Sequence, residues 1–331
     1  MIIHNAKLFK LMQFLPWLSK IFTATDGYIE EKEKGTDYWM GQQKIVKQVL
    51  REDGQWLNFT PLDELQAGRR VDTMGCTGYG FNNVKEMLSK VIWDLTNNDS
   101  DRYTNKVTGT TSRGNGMVNV MDKVRKNYGW VSEETYPWDR NTFTWAKYYS
   151  TVPHKILLTG QAKLKEYVLN YERVPTNVSL MKEGLKYSPL YVAGFAWYRQ
   201  GELYRSYGKA NHAFTIVGYV DGSHWWAYDS YSPHLKKLAW DYKFGACFVI
   251  TINKKDKEFD IAKLEHLLKR GYEYIMRVEK INGASGQVYR VTKAGLVELS
   301  EQEKKEIGIR ALHDKADLTG ISELDFTNLY K

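Results

Sequence analysis

The sequence predicts an α+β protein in which a helix-rich first half is followed by a sheet-rich second half. Apolar residues recur every three or four positions from Phe81 to Leu95, which is the pattern of one buried helical face. From Pro189 to Ile252 the chain consists mainly of β-branched and aromatic runs, which are typical of strands. We therefore expect two lobes with a cleft between them.

Three helices are expected in the first half. The apolar pattern predicts the first helix, but Gly78 and Gly80 weaken its first turn, so we expect it to begin late. A second helix is predicted over Met117–Tyr128. Residues 160–171 predict a third, more exposed helix.

The second half is centred on a β-hairpin around Asp221-Gly222, the dipeptide that best accepts the positive φ angles of a tight turn. With a two-residue loop, Val220 faces Ser223 across the hairpin. Because side chains alternate along a strand, His212 and Asp229 then share one face as diagonal neighbours. The carboxylate could thus hold the imidazole, although a three-residue loop would break this alternation.

A His held by an Asp is half of a nucleophilic site, and Cys76 is the candidate for the other half. It lies just ahead of the first helix, whose positive N-terminal end would stabilise a thiolate. His212 follows it by 136 residues and Asp229 by 153. The second cysteine, Cys247, lies in an apolar run and is interpreted as a buried small hydrophobic residue.

Several segments in order along residues 60–252 resemble those of the papain-like cysteine peptidases, in which the catalytic His and Asn follow the Cys by about 130–150 residues. Asn211–Tyr219 is similar to the family's Asp-His-Ala-Val…Val-Gly-Tyr strand, and Asp229–Ser232 to its Asn-Ser-Trp-Gly. Gly114–Gly116 and Glu134–Trp138 are similar to its Asn-Gly-Gly and Thr-Tyr-Pro-Tyr segments. The overall character is similar to a divergent, bacteriophage-encoded branch.

This resemblance implies a papain-like two-lobed fold and a cysteine endopeptidase that hydrolyses peptide bonds. It implies that Cys76 is the nucleophile, His212 the acid and base, and Asp229 the orienting group. It also implies a substrate-binding set: backbone groups of Gly116 and Asn211, a pocket lined by Met117, Val118 and Ala213, and Tyr231 in place of the Trp that shields the His.

The sequence also departs from the family at the site. Thr77 replaces the Trp that follows the nucleophile, and Asp229 replaces Asn, so that Asp229→Asn is expected to be tolerated. Arg70 stands where the family has its oxyanion-hole Gln. Arg70 could donate there, or it could lie on a solvated turn while Thr73 or Gln66 donates, or no side chain does.

Two other functions therefore stay open. One is a catalytically inactive papain-like module used for binding or assembly, for example in a virus particle. The other is a cell-wall amidase or endopeptidase.

Composition limits the remaining possibilities. A net charge of +8 comes from basic residues interleaved with acidic ones, without a nucleic-acid-binding motif, so no nucleic acid is expected. No Cys-x-x-Cys, His-Glu-x-x-His or Walker pattern occurs, so no metal or other cofactor is expected. Two cysteines give no disulfide framework, which suits a cytoplasmic or virion-associated protein.

Two extensions flank the peptidase-like domain at residues 60–252. Residues 1–59 begin with an amphipathic helix that is too short to cross a membrane and makes no convincing signal peptide. Residues 253–331 predict a small α+β accessory module with a second hairpin at Asn282-Gly283 and helices at Ile261–Leu268 and from Ser300. Either extension could bind a protein partner, and no transmembrane segment is expected.

Overall fold

The computed structural model describes residues 27–31, 39–41 and 48–255, and the backbone of three strands further on at 274–278, 287–292 and 295–298. The chain divides into two compact units, Met1–Asn253 and Lys254–Lys331. The predicted helices within residues 1–24, at Ile261–Leu268 and from Ser300, and the turn at Asn282-Gly283, lie outside the described residues.

The larger unit is α+β, as the sequence predicts, with its helices concentrated before residue 190. They are α1 (Cys76–Trp93), α2 (Asp101–Thr108), α3 (Met117–Lys123), α4 (Trp145–Tyr148), α5 (His154–Glu166) and α6 (Val178–Leu185). The predicted second helix is thus α3 continued by a π-helical turn at Val124–Tyr128. The predicted third helix is shifted, because residues 167–171, rich in β-branched and aromatic side chains, form a strand instead.

One sheet of eight strands forms the second layer of this unit. Its members are β1 (Tyr167–Arg173), β2 (Leu190–Gly194), β3 (Tyr198–Gln200), β4 (Leu203–Arg205), β5 (His212–Val220), β6 (His224–Tyr228), β7 (Leu235–Ala239) and β8 (Ala246–Lys254). Their spatial order is β1-β8-β2-β5-β6-β7-β4-β3. Strands β2 and β5 are almost wholly buried at the centre of the sheet.

Helix α1 begins at Cys76, earlier than its glycines suggest. A Cβ at Gly78 would lie 2.4 Å from the Asn105 side chain of α2, and a Cβ at Gly80 would lie 3.0 Å from the Tyr191 ring of β2. These glycines therefore let α1 pack closely against both neighbours, and the packing outweighs their low helix propensity. Thr215 of β5 fixes the approach by donating its hydroxyl to the Gly80 carbonyl at 3.2 Å.

The smaller unit contains a three-stranded antiparallel sheet of β9 (Tyr274–Val278), β10 (Gln287–Thr292) and β11 (Gly295–Glu298), with β10 in the centre. Val278 lies opposite Gln287.

Within the described part of the chain, no helix is long and apolar enough to cross a membrane.

Candidate active site

The hairpin of β5 and β6 has a three-residue loop, which corrects the predicted two-residue loop. Val220 lies opposite His224 instead of Ser223. A loop one residue longer would, by itself, turn the His212 end of the hairpin to the opposite face from Asp229.

A β-bulge removes that offset. The register shifts between Ile216 and Gly218, leaving Val217 as the extra residue, and Ile216 then lies opposite Ala227 as a two-residue loop would place it. As a result His212 and Asp229 meet, with Nε2 of the imidazole 2.6 Å from Oδ1 of the carboxylate, and both side chains are fully buried.

Cys76 is the first residue of α1, and its sulfur lies against the start of β5. The backbone N–H of Ala213 donates to Sγ at 3.4 Å. The Cys76 side chain also hydrogen-bonds His212, whose Nε2 is already taken by Asp229, which leaves Nδ1 for the sulfur. Cys247 lies within β8, where burial raises the pKa of its thiol well above the ordinary value.

The charges at this site favour an ionised His212. Burial opposes protonation, but the negative charges of Asp229 and Cys76 and their hydrogen bonds outweigh it and raise the pKa of His212 well above its ordinary value. Burial likewise opposes ionisation of Asp229, yet the charges of Lys236 and His212 and their hydrogen bonds lower its pKa to about 2. The arrangement can hold an imidazolium between two anions.

Sequence reasoning missed Lys236, whose Nζ donates to Oδ2 of Asp229 at 2.7 Å. Lys236 lies in β7, and its side chain is fully buried. Its position beside a second lysine, Lys237, gives no local signal of a buried ion pair. Only the return of β7 alongside β6 brings it to Asp229.

Three aromatic rings lie around His212, among them that of Phe214 at 6.0 Å between ring centroids. The Tyr231 ring centroid lies 5.3 Å from that of the imidazole, where the resemblance places a shielding residue. The Trp197 ring, which the sequence did not indicate, stands edge-on to it at 5.4 Å. The Tyr231 hydroxyl donates to Asp72 and accepts from Nε2 of Gln66 at 2.6 Å.

Arg70 lies on the exposed turn that joins Ala67 to Asp72, which pair as an isolated β-bridge. This position favours the solvated-turn alternative, since an exposed guanidinium is not held in place to stabilise an oxyanion. Gln66 is fully buried, but both amide hydrogens are used, one toward Tyr231 and one toward Asp72 at 3.0 Å. Thr73 is fully buried with its hydroxyl unpaired among the described residues.

A segment of the chain itself, Gly27–Glu31, lies across the site. A Cβ built on Gly27 would lie 3.1 Å from the Cys76 sulfur. The Tyr28 N–H donates to the Asn211 carbonyl at 3.2 Å, as the expected substrate-binding role of Asn211 requires of a bound peptide. Ile29 donates to the carbonyl of Asn115 at 2.8 Å, and Asn115 donates to the Gly27 carbonyl at 2.9 Å.

Asn115 therefore pairs with an extended segment where the resemblance assigned Gly116. The Gly116 backbone is engaged locally: its N–H donates to Oδ1 of Asn115 at 2.9 Å, and its carbonyl accepts from Val120 at 3.1 Å. It serves as the N-cap of α3. The other predicted pocket residues, Met117, Val118 and Ala213, are almost fully buried.

No protein-family model and no curated protein matches the sequence. Solved structures do match it. The cysteine protease and lectin-like domains of Cwp84, a surface-layer-associated protein of Clostridium difficile, align with a TM-score of 0.52 and 13% identity over 85% of this chain and 64% of that chain. Digestive procathepsin L 3 of Tenebrio molitor larval midgut aligns at 0.47 and 15% over 70% and 78%. Bromelain of Ananas comosus in complex with the E64 inhibitor aligns at 0.43 and 18% over 60% and 97%.

These matched structures are papain-like cysteine proteases, and the likeness to Cwp84 shows that this chain has the same fold. The predicted fold class is thereby confirmed. The roles of individual residues and the bacteriophage origin stay predictions.

Proposed function

We propose that this protein is a papain-like cysteine endopeptidase in which Cys76 is the nucleophile, His212 the acid and base, and Asp229 the orienting group. One observation carries the proposal: a thiol at a helix N-terminus hydrogen-bonds an imidazole whose other nitrogen lies 2.6 Å from a buried carboxylate. These are the three groups that nucleophilic acyl transfer by a thiolate requires.

In this mechanism the Cys76 thiolate attacks the carbonyl carbon of a peptide bond, forming a C–S bond and an oxyanion. The C–N bond then breaks as His212 gives its proton to the leaving amine. A water molecule next attacks the thioester and transfers a proton to His212. The C–S bond breaks, which releases the acid and restores the ion pair of thiolate and imidazolium.

The segment Gly27–Glu31 supports a polypeptide substrate. It is an extended peptide that already uses the backbone groups of Asn115 and Asn211 beside the Cys76 sulfur. A cleft that pairs with backbone N–H and carbonyl groups binds a chain by the same hydrogen bonds as a sheet edge. In the described arrangement the segment must move before another peptide can bind there.

The test is labelling with an epoxysuccinyl or iodoacetamide probe near neutral pH, followed by peptide mapping. We expect Cys76 to react at least about 100-fold faster than Cys247, because only a thiolate is nucleophilic and burial keeps Cys247 protonated. His212→Ala should remove most of that difference. Equal rates at the two cysteines would overturn the assignment.

Digestion of a peptide library and of a peptidoglycan preparation then separates the remaining functions. Cleavage of the library supports the endopeptidase, whereas cleavage of peptidoglycan alone would make it a cell-wall enzyme. Labelling of Cys76 without cleavage of either substrate would favour an inactive binding module.

A further inference from the structure

Lys236 is a buried cation whose donors are all used at one place. Its Nζ donates to Oδ2 of Asp229 at 2.7 Å, to the Tyr231 carbonyl at 2.6 Å and to the Pro233 carbonyl at 2.5 Å. The ammonium also lies 5.0 Å from the centroid of the Trp197 ring. Three donors in three fixed directions leave the side chain no freedom to turn away from Asp229.

The two oxygens of Asp229 are divided between two cations. Oδ1 faces Nε2 of His212, and Oδ2 faces Nζ of Lys236. A buried carboxylate with a single partner would retain much of its desolvation cost, whereas a second partner offsets it. The pair of Asp229 and Lys236 therefore presents His212 with a hydrogen-bond acceptor that carries little net charge.

We propose that Lys236 is a positioning residue that, paired with Asp229, forms a net-neutral orienting group for His212; this inference rests on the proposed peptidase function. The resemblance assigns a neutral Asn to the position of Asp229. The ion pair would supply the same acceptor with the same net charge. The imidazolium and thiolate then balance each other, as they would beside a neutral amide.

Other titratable groups face this pair from the surrounding elements and contribute to the electrostatic potential at His212. His212 comes from β5, Cys76 from α1 and Tyr204 from β4, and Asp72 faces Tyr231 from the turn before α1. His234, just before β7, places Nδ1 2.7 Å from the backbone carbonyl oxygen of Asp229. Tyr242 also interacts electrostatically with the Asp229 carboxylate. Among the described residues around Asp229, Lys236 is the cation, besides His212, that contacts its carboxylate.

The proposal predicts that the two single variants shift the pKa of His212 in opposite directions and that the double variant restores it. Asp229→Asn leaves Lys236 unpaired beside His212, so the imidazolium becomes less favourable. Lys236→Met keeps an unbranched side chain of similar length but leaves the full charge of Asp229, so the imidazolium becomes more favourable. Asp229→Asn with Lys236→Met removes both charges and restores the balance. The proposal thus predicts a loss of labelling in Asp229→Asn, whereas the resemblance alone implies that this variant is tolerated.

The experiment follows the NMR titration of His212, assigned by its loss in His212→Ala, and the pH profile of Cys76 labelling with iodoacetamide. We expect the titration midpoint of His212 to be highest in Lys236→Met and lowest in Asp229→Asn, with the parent and the double variant between them. At pH 7, Asp229→Asn should label at least about tenfold more slowly than the parent. The double variant should return to within about threefold of the parent.

Lys237→Met is the matched control, because Lys237 is the next residue, partly exposed, and contacts Glu202 at 3.3 Å instead of Asp229. It should leave both the midpoint and the labelling profile unchanged. A Lys236→Met protein that behaves like Lys237→Met, or a double variant no better than Asp229→Asn, would overturn the proposal. If Lys236 had only a structural role, its replacement would change stability, but the titration midpoints of His212 would not follow the expected order.

The titration requires no turnover, so each of the two proposals can be rejected without rejecting the other. If the midpoints follow the expected order while the parent cleaves no substrate, the pairing stands and the peptidase function fails. If the parent cleaves peptides and the order is absent, the function stands and the role of Lys236 fails.

Discussion

The carboxylate of Glu31 accepts the backbone N–H of Val118 at 2.6 Å, across 87 positions of sequence. Its second oxygen accepts the N–H of Asn119 at 2.9 Å, so that Glu31 pairs with two backbone donors in the first turn of α3. A carboxylate at a helix N-terminus is favoured by both hydrogen bonding and the helix dipole. This contact anchors the segment Gly27–Glu31 that lies beside Cys76.

Replacing Glu31 by Ala should therefore expose the nucleophile. The loss of two hydrogen bonds to a charged acceptor weakens the anchoring of the segment, and a loss of about 1.4 kcal/mol corresponds to a tenfold change in its release. We expect Cys76 in Glu31→Ala to be labelled by iodoacetamide about tenfold faster than in the parent.

Glu30→Ala is the control for this prediction, since Glu30 is the adjacent carboxylate and is exposed. It removes the same charge without touching α3, and its labelling rate should equal that of the parent. Identical rates in the two variants would mean that Glu31 does not hold the segment over the site.

The ionisation of His212 should make stability depend on pH in a definite direction. Its pKa is raised in the folded protein, so it stabilises the fold fully below about 6.5 and loses that contribution as the pH rises through the folded value. We expect the free energy of unfolding, measured with urea from pH 6 to 9, to fall less steeply in His212→Gln. A slope in His212→Gln equal to that of the parent would contradict this prediction.

Asp229 should make stability depend on pH in the opposite direction, at the acid end of the range. Its pKa is lowered to about 2, so its contribution is present above the ordinary value near 3.8 and is lost as the pH falls toward 2. A shift of this size corresponds to on the order of 2 kcal/mol. Unfolding of the parent between pH 5 and pH 2 should show this loss, and the double variant Asp229→Asn with Lys236→Met should lack it. Parallel curves would show that the carboxylate is not stabilised in this way.

Arg70 and Gln66 should differ sharply in their effect on turnover. Arg70→Ala and Arg70→Gln should both keep kcat/KM within about twofold of the parent, because the side chain is exposed. Gln66→Ala removes the hydrogen bonds that hold Tyr231 and Asp72, and a misplaced ring beside His212 could cost up to about 10²-fold. A large loss in Arg70→Ala that Arg70→Gln restores would instead make Arg70 the oxyanion donor.

Truncation tests whether residues 253–331 are a separable module. A chain that ends at Lys257 keeps the whole larger unit, so we expect it to remain folded and its Cys76 to react with the probe as in the parent. Circular dichroism and labelling would measure both properties. Loss of the folded signal would show that the tail completes the core of the larger unit.

The sequence by itself determined the fold class and proposed Cys76, His212 and Asp229 as candidate reacting groups. Helical and strand periodicities depend on the local backbone, so the apolar face of α1 and the run of strands after Pro189 could be predicted residue by residue. Alternation of side chains predicted a shared face for His212 and Asp229, but only for a two-residue loop; with the three-residue loop it is the bulge that restores this face. Cys76 followed from its distance to them and from the similar flanking segments.

The tertiary structure decided how those groups are held. Three features could not be read from the neighbouring sequence: the bulge at Val217, the pairing of Lys236 with Asp229, and the contact of Glu31 with α3. The same holds for the early start of α1, where packing around Gly78 and Gly80 outweighs local propensity. These contacts depend on how separate segments pack against each other. Local sequence periodicity carries no information about that packing, so the contacts could not be predicted from it.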